Sequence, residues 1–374
     1  MKKELPFLEA IAVLVGTIIG AGILGIPYVA YRAGFLTTII VMTVIYLAVL
    51  LINLHIGEIV LSTKKLHQLT GYAEKYLGKW GKTAMFFSVI IGFYGALLAY
   101  LIGEGEVLAA LTGGSPIVYS LLFFVFGSVL VYLGLTIVKR TELFMTFLIL
   151  LLVILVFILG LDNLEWENLA GFDLAKIFLP YGVIFFAMGG ASAIPQLAEV
   201  LHGREKLVKR AIIIGTTIPF AVYLIFTFIA VGVTGANVTE VATVGLGRVM
   251  GKSMLAMGNV FAFFTMATSF LTLGLALKKT YHLDFGVNKK LAWLLTISLP
   301  LLMLFLGLNH FVGVLGTAGA IGGGLEGLLI GLIYLQLKKK RENVPAYQLT
   351  KSPLIIILLS LMFIGGIVYT LWYF

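Results

Sequence analysis

The chain has 374 residues, of which 60% are hydrophobic and 11% charged, with a mean hydropathy of +1.09. A soluble domain carries about 25% charged residues, so this balance excludes a water-soluble fold and describes a polytopic membrane protein. The absence of cysteine excludes disulfides, thiolate metal sites and cysteine nucleophiles, and the net charge of +9 has to be judged by where the basic residues fall.

A spanning helix needs roughly 20 apolar residues to cross about 30 Å of hydrocarbon. Eleven segments qualify, at 8–31, 35–60, 83–112, 115–138, 141–161, 177–200, 210–234, 253–279, 291–308, 310–336 and 353–373. They are too long and too uniformly apolar for barrel strands, which alternate lipid-facing and lumen-facing residues. The first follows Lys2 and Lys3, as the core of a signal peptide does. It runs on into Pro27 and Arg32 without a small-residue cleavage site, so it is read as a retained span.

Within that first span Gly20, Gly22 and Gly25 spell G-x-G-x-x-G. A dinucleotide fold needs a strand before the glycines and an acid about 20 positions beyond them. Residues 36–57 contain no acid, and an open parallel sheet does not survive in a bilayer. Close packing between helices is the simpler use of such glycines. Their crowding argues for more: Gly16, Gly20, Gly22, Gly25 and Pro27 each weaken a helix, glycine by about 1 kcal/mol and interior proline by about 3.

Further along, residues 64–82 alternate basic and aromatic side chains and predict a short helix at the lipid headgroups. The third span carries Glu104 and Glu106 toward its outer end, and residues 143–161 of the fifth hold no charge. The acids of the loop 162–173 suit an outer face. The sixth span repeats the first in kind, with Ala187, Gly189, Gly190, Ser192 and a closing Ile194-Pro195. The eighth contains "TMATSFLTL", the tenth contains Glu326, and His310 lies near an outer end. Glu9, Glu58 and Glu199 lie at inner ends, where pairing with loop Lys or Arg is expected. A polar linker at 337–352 precedes the last span.

With the N-terminus inside, 22 of the 26 Lys and Arg residues fall in one set of loops, leaving Arg32, Lys176, Arg248 and Lys252 in the other. That is the positive-inside asymmetry, so the basic residues orient the protein rather than bind nucleic acid, and an odd number of spans puts Phe374 outside. Interrupted helices in spans 1 and 6 of eleven predict two five-span halves of opposite orientation and one extra span. Unwound backbone at mid-membrane is tolerated where it lines a cavity or is buried in protein. There, half-helix N-termini offer N–H groups to a carboxylate and half-helix C-termini offer carbonyls to an ammonium or Na⁺. A zwitterion of amino-acid size satisfies both.

The segments "GTIIGAGILGIP" (16–27) and "FFAMGGASAIPQ" (185–196), with the span count, resemble the amino acid/auxin permease and aromatic amino acid permease families of the amino acid, polyamine and organocation (APC) superfamily. The resemblance implies an all-α polytopic membrane protein of LeuT-like fold. Such a fold is a 5+5 inverted repeat with broken spans 1 and 6, plus an eleventh transmembrane helix. Residues 1–374 would form one transmembrane domain, with repeats at about 8–161 and 177–336 and the extra span at about 353–373.

Carried over by position, the similarity implies that main-chain N–H groups of Ala21 and Gly22 bind the substrate carboxylate. The carbonyls of Ile18, Phe186, Ala187 and Gly189 would face its amine. A sodium site would use carbonyls of Gly16, Ile19 and Thr265 with the hydroxyls of Thr268 and Ser269. The competing reading is that these hydroxyls bond their own helix. Proton-coupled relatives replace sodium by a lysine of the fifth span, which this chain lacks. Glu104 and Glu326 are nevertheless proton-coupling candidates, because intramembrane carboxylates are costly.

Tyr94, Tyr100, Phe185 and Phe186 are candidates for an aromatic wall, and no charged residue awaits a charged side chain. The expectation is secondary active transport of a neutral amino acid, aliphatic or aromatic, across the cell membrane with Na⁺ or H⁺, without a cofactor or a nucleic-acid partner. The alternatives are a channel or sensor-like protein of the same fold, or proton-coupled transport of another small amine. An enzyme is disfavoured: there is no H-E-x-x-H, no G-x-S-x-G, and the five histidines are scattered.

Overall fold

In the computed structural model the apolar segments become helices, as a bilayer demands of any backbone that must satisfy its own N–H and C=O groups. Residues 5–134, 138–350 and 352–373 are described, with the backbone alone for 138–146, Leu283, Asp284, Lys338 and Tyr373. Lys2, Lys3, Lys351 and Phe374, and the side chains of Lys139, Arg140 and Lys338, lie outside the described residues.

Span 1 consists of Leu5–Ile18 and Gly22–Ala33, bent by 53° at the break. Span 2 is Phe35–Leu61, span 3 Lys79–Thr112, span 4 Pro116–Leu133 and span 5 Val138–Gly160. Span 6 consists of Tyr181–Ala187 and Ile194–Val200. Spans 7, 8 and 9 are Val208–Thr234, Lys252–Lys279 and Lys289–Phe305. Span 10 joins Phe311–Thr317 to Gly324–Lys340 through a π-helical stretch, Ala318–Gly323, and span 11 is Pro353–Tyr373. Each of the eleven expected spans therefore contains helix.

The two breaks form for different local reasons. In span 1 the α-pattern ends with Ile19 N–H on the Val15 carbonyl and restarts with Ile23 on Gly20 and Leu24 on Ala21. In span 6 Gly189 N–H turns back to the Phe186 carbonyl and Ala193 to Gly190. Pro195 then sits in the first turn of the next segment, where a missing N–H is no loss. Span 6 is interrupted without a bend comparable to that of span 1.

Two short helices of nine residues each, Leu69–Leu77 and Ala242–Met250, hold equivalent places before spans 3 and 8. Each passes into its span through a glycine with left-handed φ, Gly78 at 83° and Gly251 at 94°, a conformation in which a Cβ is penalised. The second helix was not expected from the sequence. The first differs from expectation, because Leu69, Tyr72, Ala73 and Tyr76 are buried and its apolar face is taken by spans 3 and 10 rather than by lipid headgroups.

The polar linker is laced across the end of span 2 that faces the basic loops. Buried Glu58 accepts hydrogen bonds from the Tyr334 hydroxyl (2.8 Å), the Leu349 N–H (2.8 Å) and the Arg341 guanidinium (2.9 Å). Tyr347 donates to the Leu54 carbonyl at 2.7 Å. Glu342 pairs with Lys75 and accepts from Lys64 N–H, contacts that hold its carboxyl below the ordinary range. Pairing of Glu58 with a loop arginine matches expectation; Glu9 and Glu199 form no ion pair among the described residues.

Candidate functional site

The two breaks lie side by side at the centre of the bundle. Gly22 packs so closely on Ala187 that a Cβ at position 22 would stand 2.5 Å from the Ala187 Cβ and 2.6 Å from its Cα. Beyond this contact, toward Arg32 and Lys176, Gly182 lies against the backbones of Gly316 and Gly319 in span 10. Helices meet here main chain to main chain, which only small residues allow.

On the other side of that seam is a cavity of about 200 Å³ whose walls include both breaks. An apolar cavity of roughly 150 Å³ takes up benzene, so this volume admits a ligand of amino-acid size. Thr17, Asn53, Ser88 and Ser192 line its part nearest the basic loops, and Tyr100, Phe93, Phe185 and Phe186 supply its rings. The expected aromatic wall thus forms without Tyr94, whose hydroxyl is engaged by Tyr281 (2.7 Å) and the Leu295 carbonyl (2.9 Å).

Of the residues expected to bind substrate, Ile18, Ala21, Gly22, Phe186, Ala187 and Gly189 all line this cavity. The N–H groups of Ala21 and Gly22 have no hydrogen-bond acceptor among the described residues, and they begin the Gly22–Ala33 helix. Free donors at the positive end of a helix dipole suit a carboxylate. The Ile18 and Ala187 carbonyls end the opposing half-helices and receive no backbone N–H. The Phe186 carbonyl already accepts from Gly189 N–H at 3.1 Å, which leaves it one lone pair at most for a ligand.

The expected sodium ligands are not assembled in the same way. Gly16, Ile19, Thr265, Thr268 and Ser269 are absent from the cavity lining. The Thr268 hydroxyl donates to the Phe264 carbonyl (2.8 Å) and lies 3.1 Å from that of Thr265, the own-helix bonding weighed against the ion site. The Thr265 hydroxyl is buried without a partner. Ser269 approaches the first break: its hydroxyl and that of Tyr100 lie 3.9 and 3.8 Å from where a Gly20 Cβ would stand.

The two candidate proton carriers also part company. Glu326 lines the cavity and forms no hydrogen bond or ion pair among the described residues. Glu104 is fully buried away from the cavity, with neither carboxylate oxygen partnered among the described residues. Near the opposite end, His310 lies 3.3 Å from Glu240, which also accepts the Val312 N–H.

Sequence reasoning overlooked Asn53, Ser88 and Tyr223, and took Ser192 only as a small residue of the second break. Asn53 is signalled by its polarity within an apolar run; its Nδ2 donates to Thr216 at 3.2 Å and its Oδ1 is buried without a partner. Ser88 donates to the Gly322 carbonyl at 2.7 Å, beside the π-helical stretch. Tyr223, one of 16 tyrosines, carries no distinguishing mark in the sequence.

A model of the tryptophan/tyrosine permease family matches residues 3–372. Glutamine transporter 2 of Aliivibrio fischeri is 24% identical over 353 residues, covering 90% of each chain. Tyrosine-specific transport system 1 of Haemophilus influenzae is 26% identical over 354 residues, covering 88% of each. Among solved structures, MhsT in complex with L-phenylalanine superposes with a TM-score of 0.63 at 17% identity, covering 97% of both chains. The nucleobase-cation-symport-1 family transporter Mhp1, in a closed conformation with bromovinylhydantoin bound, does so at 0.63 and 16%, covering 98% of this chain and 90% of that one. At these identities the structural likeness speaks to fold.

Proposed function

The chain belongs to the tryptophan/tyrosine permease family, and we propose accordingly that it is a secondary active transporter of a neutral amino acid, aliphatic or aromatic, working by alternating access. The observation that carries this reading is the meeting of two helix breaks at one cavity. Ala21 and Gly22, with unpaired N–H groups, and Ile18 and Ala187, with terminal carbonyls, line that cavity together. A carboxylate on the former and an ammonium on the latter complete both half-helices, and the rings of Phe93, Tyr100 and Phe186 take up an uncharged side chain. The relatives named for tyrosine and glutamine transport support a neutral cargo.

The positive-inside asymmetry supports a cell-membrane orientation with the N-terminus cytoplasmic and the C-terminus extracellular. The cavity then lies on the inner side of the glycine seam. For coupling, Na⁺ at Gly16, Ile19, Thr265, Thr268 and Ser269 and H⁺ at Glu326 or Glu104 are both consistent with the family layout. The proton has the better support, because the Thr268 hydroxyl is engaged within its own helix while Glu326 lines the cavity with no partner.

Uptake of twenty labelled amino acids into proteoliposomes, with and without Na⁺ and at two pH values, tests the proposal. Saturable accumulation of one or a few neutral amino acids, driven by one of the two gradients, is expected. Leak without saturation, or chemical change of the solute, overturns it.

A further inference from the structure

Tyr223 of span 7 is wholly buried, and its hydroxyl lies 2.7 Å from the Ile18 carbonyl and 2.9 Å from that of Ala187. These carbonyls end the first halves of spans 1 and 6, where an α-helix leaves its last C=O groups without intrahelical donors. A phenol has one proton to give, so it cannot saturate both oxygens. Each carbonyl carries two lone pairs, and at least one on each remains for another donor. Ile18 and Ala187 line the cavity while Tyr223 does not. The tyrosine therefore reaches the two oxygens from outside the cavity lining.

We propose that Tyr223 is the positioning residue of the ammonium subsite: its hydroxyl clamps the carbonyls of Ile18 and Ala187 at a separation that one ammonium can bridge. The inference rests on the amino acid transporter reading above and adds to it a residue that never meets the substrate. Two oxygens within hydrogen-bond range of a single atom can both be reached by one –NH₃⁺, which offers three donors. Without the phenol, the two half-helix ends are held together on this side only by packing, and the carbonyl dipoles are free to diverge. Tyr223 also joins both broken spans to span 7, so both ends of the amine grip are set by one rigid helix.

The role separates amine recognition from carboxylate recognition, because the Tyr223 hydroxyl donates to carbonyls and forms no hydrogen bond with the N–H groups of Ala21 and Gly22 among the described residues. The test is Tyr223→Phe, which keeps the ring, or Tyr223→Leu if the former is not recovered folded. Melting curves monitor folding. Competition against a labelled amino acid substrate of the wild type is measured for two unlabelled ligands: the substrate itself, and its analogue with hydrogen in place of the α-amine.

The expected result is a loss of about tenfold or more in affinity for the amine-bearing ligand and none for the amine-free analogue. Equal weakening of the two ligands, or unchanged binding of both by a folded variant, overturns the proposal. A wild-type protein that binds no amino acid overturns instead the transporter reading on which it rests.

Discussion

Gly22→Ala puts one methyl group where the two broken spans touch. The backbone at Gly22 is not left-handed, so alanine is conformationally acceptable and the whole effect comes from space. The new Cβ would lie 2.5 and 2.6 Å from the Cβ and Cα of Ala187, whereas carbon atoms in contact sit about 3.5–4.0 Å apart. Neither opposing atom can rotate away, so the breaks must part by about 1 Å, at an overpacking cost of about 1–3 kcal/mol.

A ligand that bridges the two breaks then has one set of hydrogen bonds stretched from about 2.9 Å to nearly 4 Å, beyond useful length. Losing a charge-assisted bond costs about 1.5–3 kcal/mol, which weakens substrate binding by about 10- to 150-fold. Equilibrium binding of labelled substrate to purified protein measures this directly, with melting curves to confirm folding. Gly22→Val has a larger effect. Affinity within twofold of wild type in a folded Gly22→Ala protein would refute the reasoning.

Three further outcomes are expected. Gly92 lines the cavity, and a Cβ there would meet nothing within 4 Å. Gly92→Leu should therefore fold normally yet exclude aromatic substrates while retaining the smallest ones in the uptake panel. Glu326→Gln removes the only titratable carboxylate found on the cavity wall among the described residues. It should preserve substrate binding and exchange while abolishing pH-gradient-driven accumulation; accumulation that persists unchanged excludes Glu326 as the proton carrier. Glu58→Ala leaves Arg341, Tyr334 and the Leu349 N–H without their shared acceptor. It should destabilise the protein by about 3 kcal/mol, read as a lower melting temperature with little change in substrate affinity.

The parts of this molecule that could be read from residues alone were those written in local chemistry. Hydropathy over 20-residue windows places all eleven spans, and crowded Gly and Pro mark the unwinding at Ile18–Gly22 and Met188–Gly190, because both signals act within one segment. The unpaired main-chain groups beside the cavity follow from those breaks, since terminal N–H and C=O groups point along the helix whatever the side chains are. What escaped is non-local. That Tyr223 meets two carbonyls, 205 and 36 positions away, depends on how span 7 crosses spans 1 and 6, which no periodicity encodes. Tyr94 points at Tyr281 rather than into the cavity for the same reason: its face of span 3 is set by the neighbour it packs on. The Thr268 hydroxyl illustrates a third case, in which two local partners compete for one donor and sequence cannot rank them.

The seam formed by Gly22, Ala187, Gly182, Gly316 and Gly319 has a mechanical consequence. Where Gly22 meets Ala187 and Gly182 meets Gly316 and Gly319, few side-chain rotamers have to rearrange as the surfaces separate. Such a joint can unzip with little friction, in contrast to a leucine-packed boundary, where every knob must leave its hole. If the seam opens in transport, its direction would be set by what occupies the hollow behind it. Without cargo, the half-helices on either side lack partners at their tips; with cargo, those tips are bridged and the two faces move as one piece.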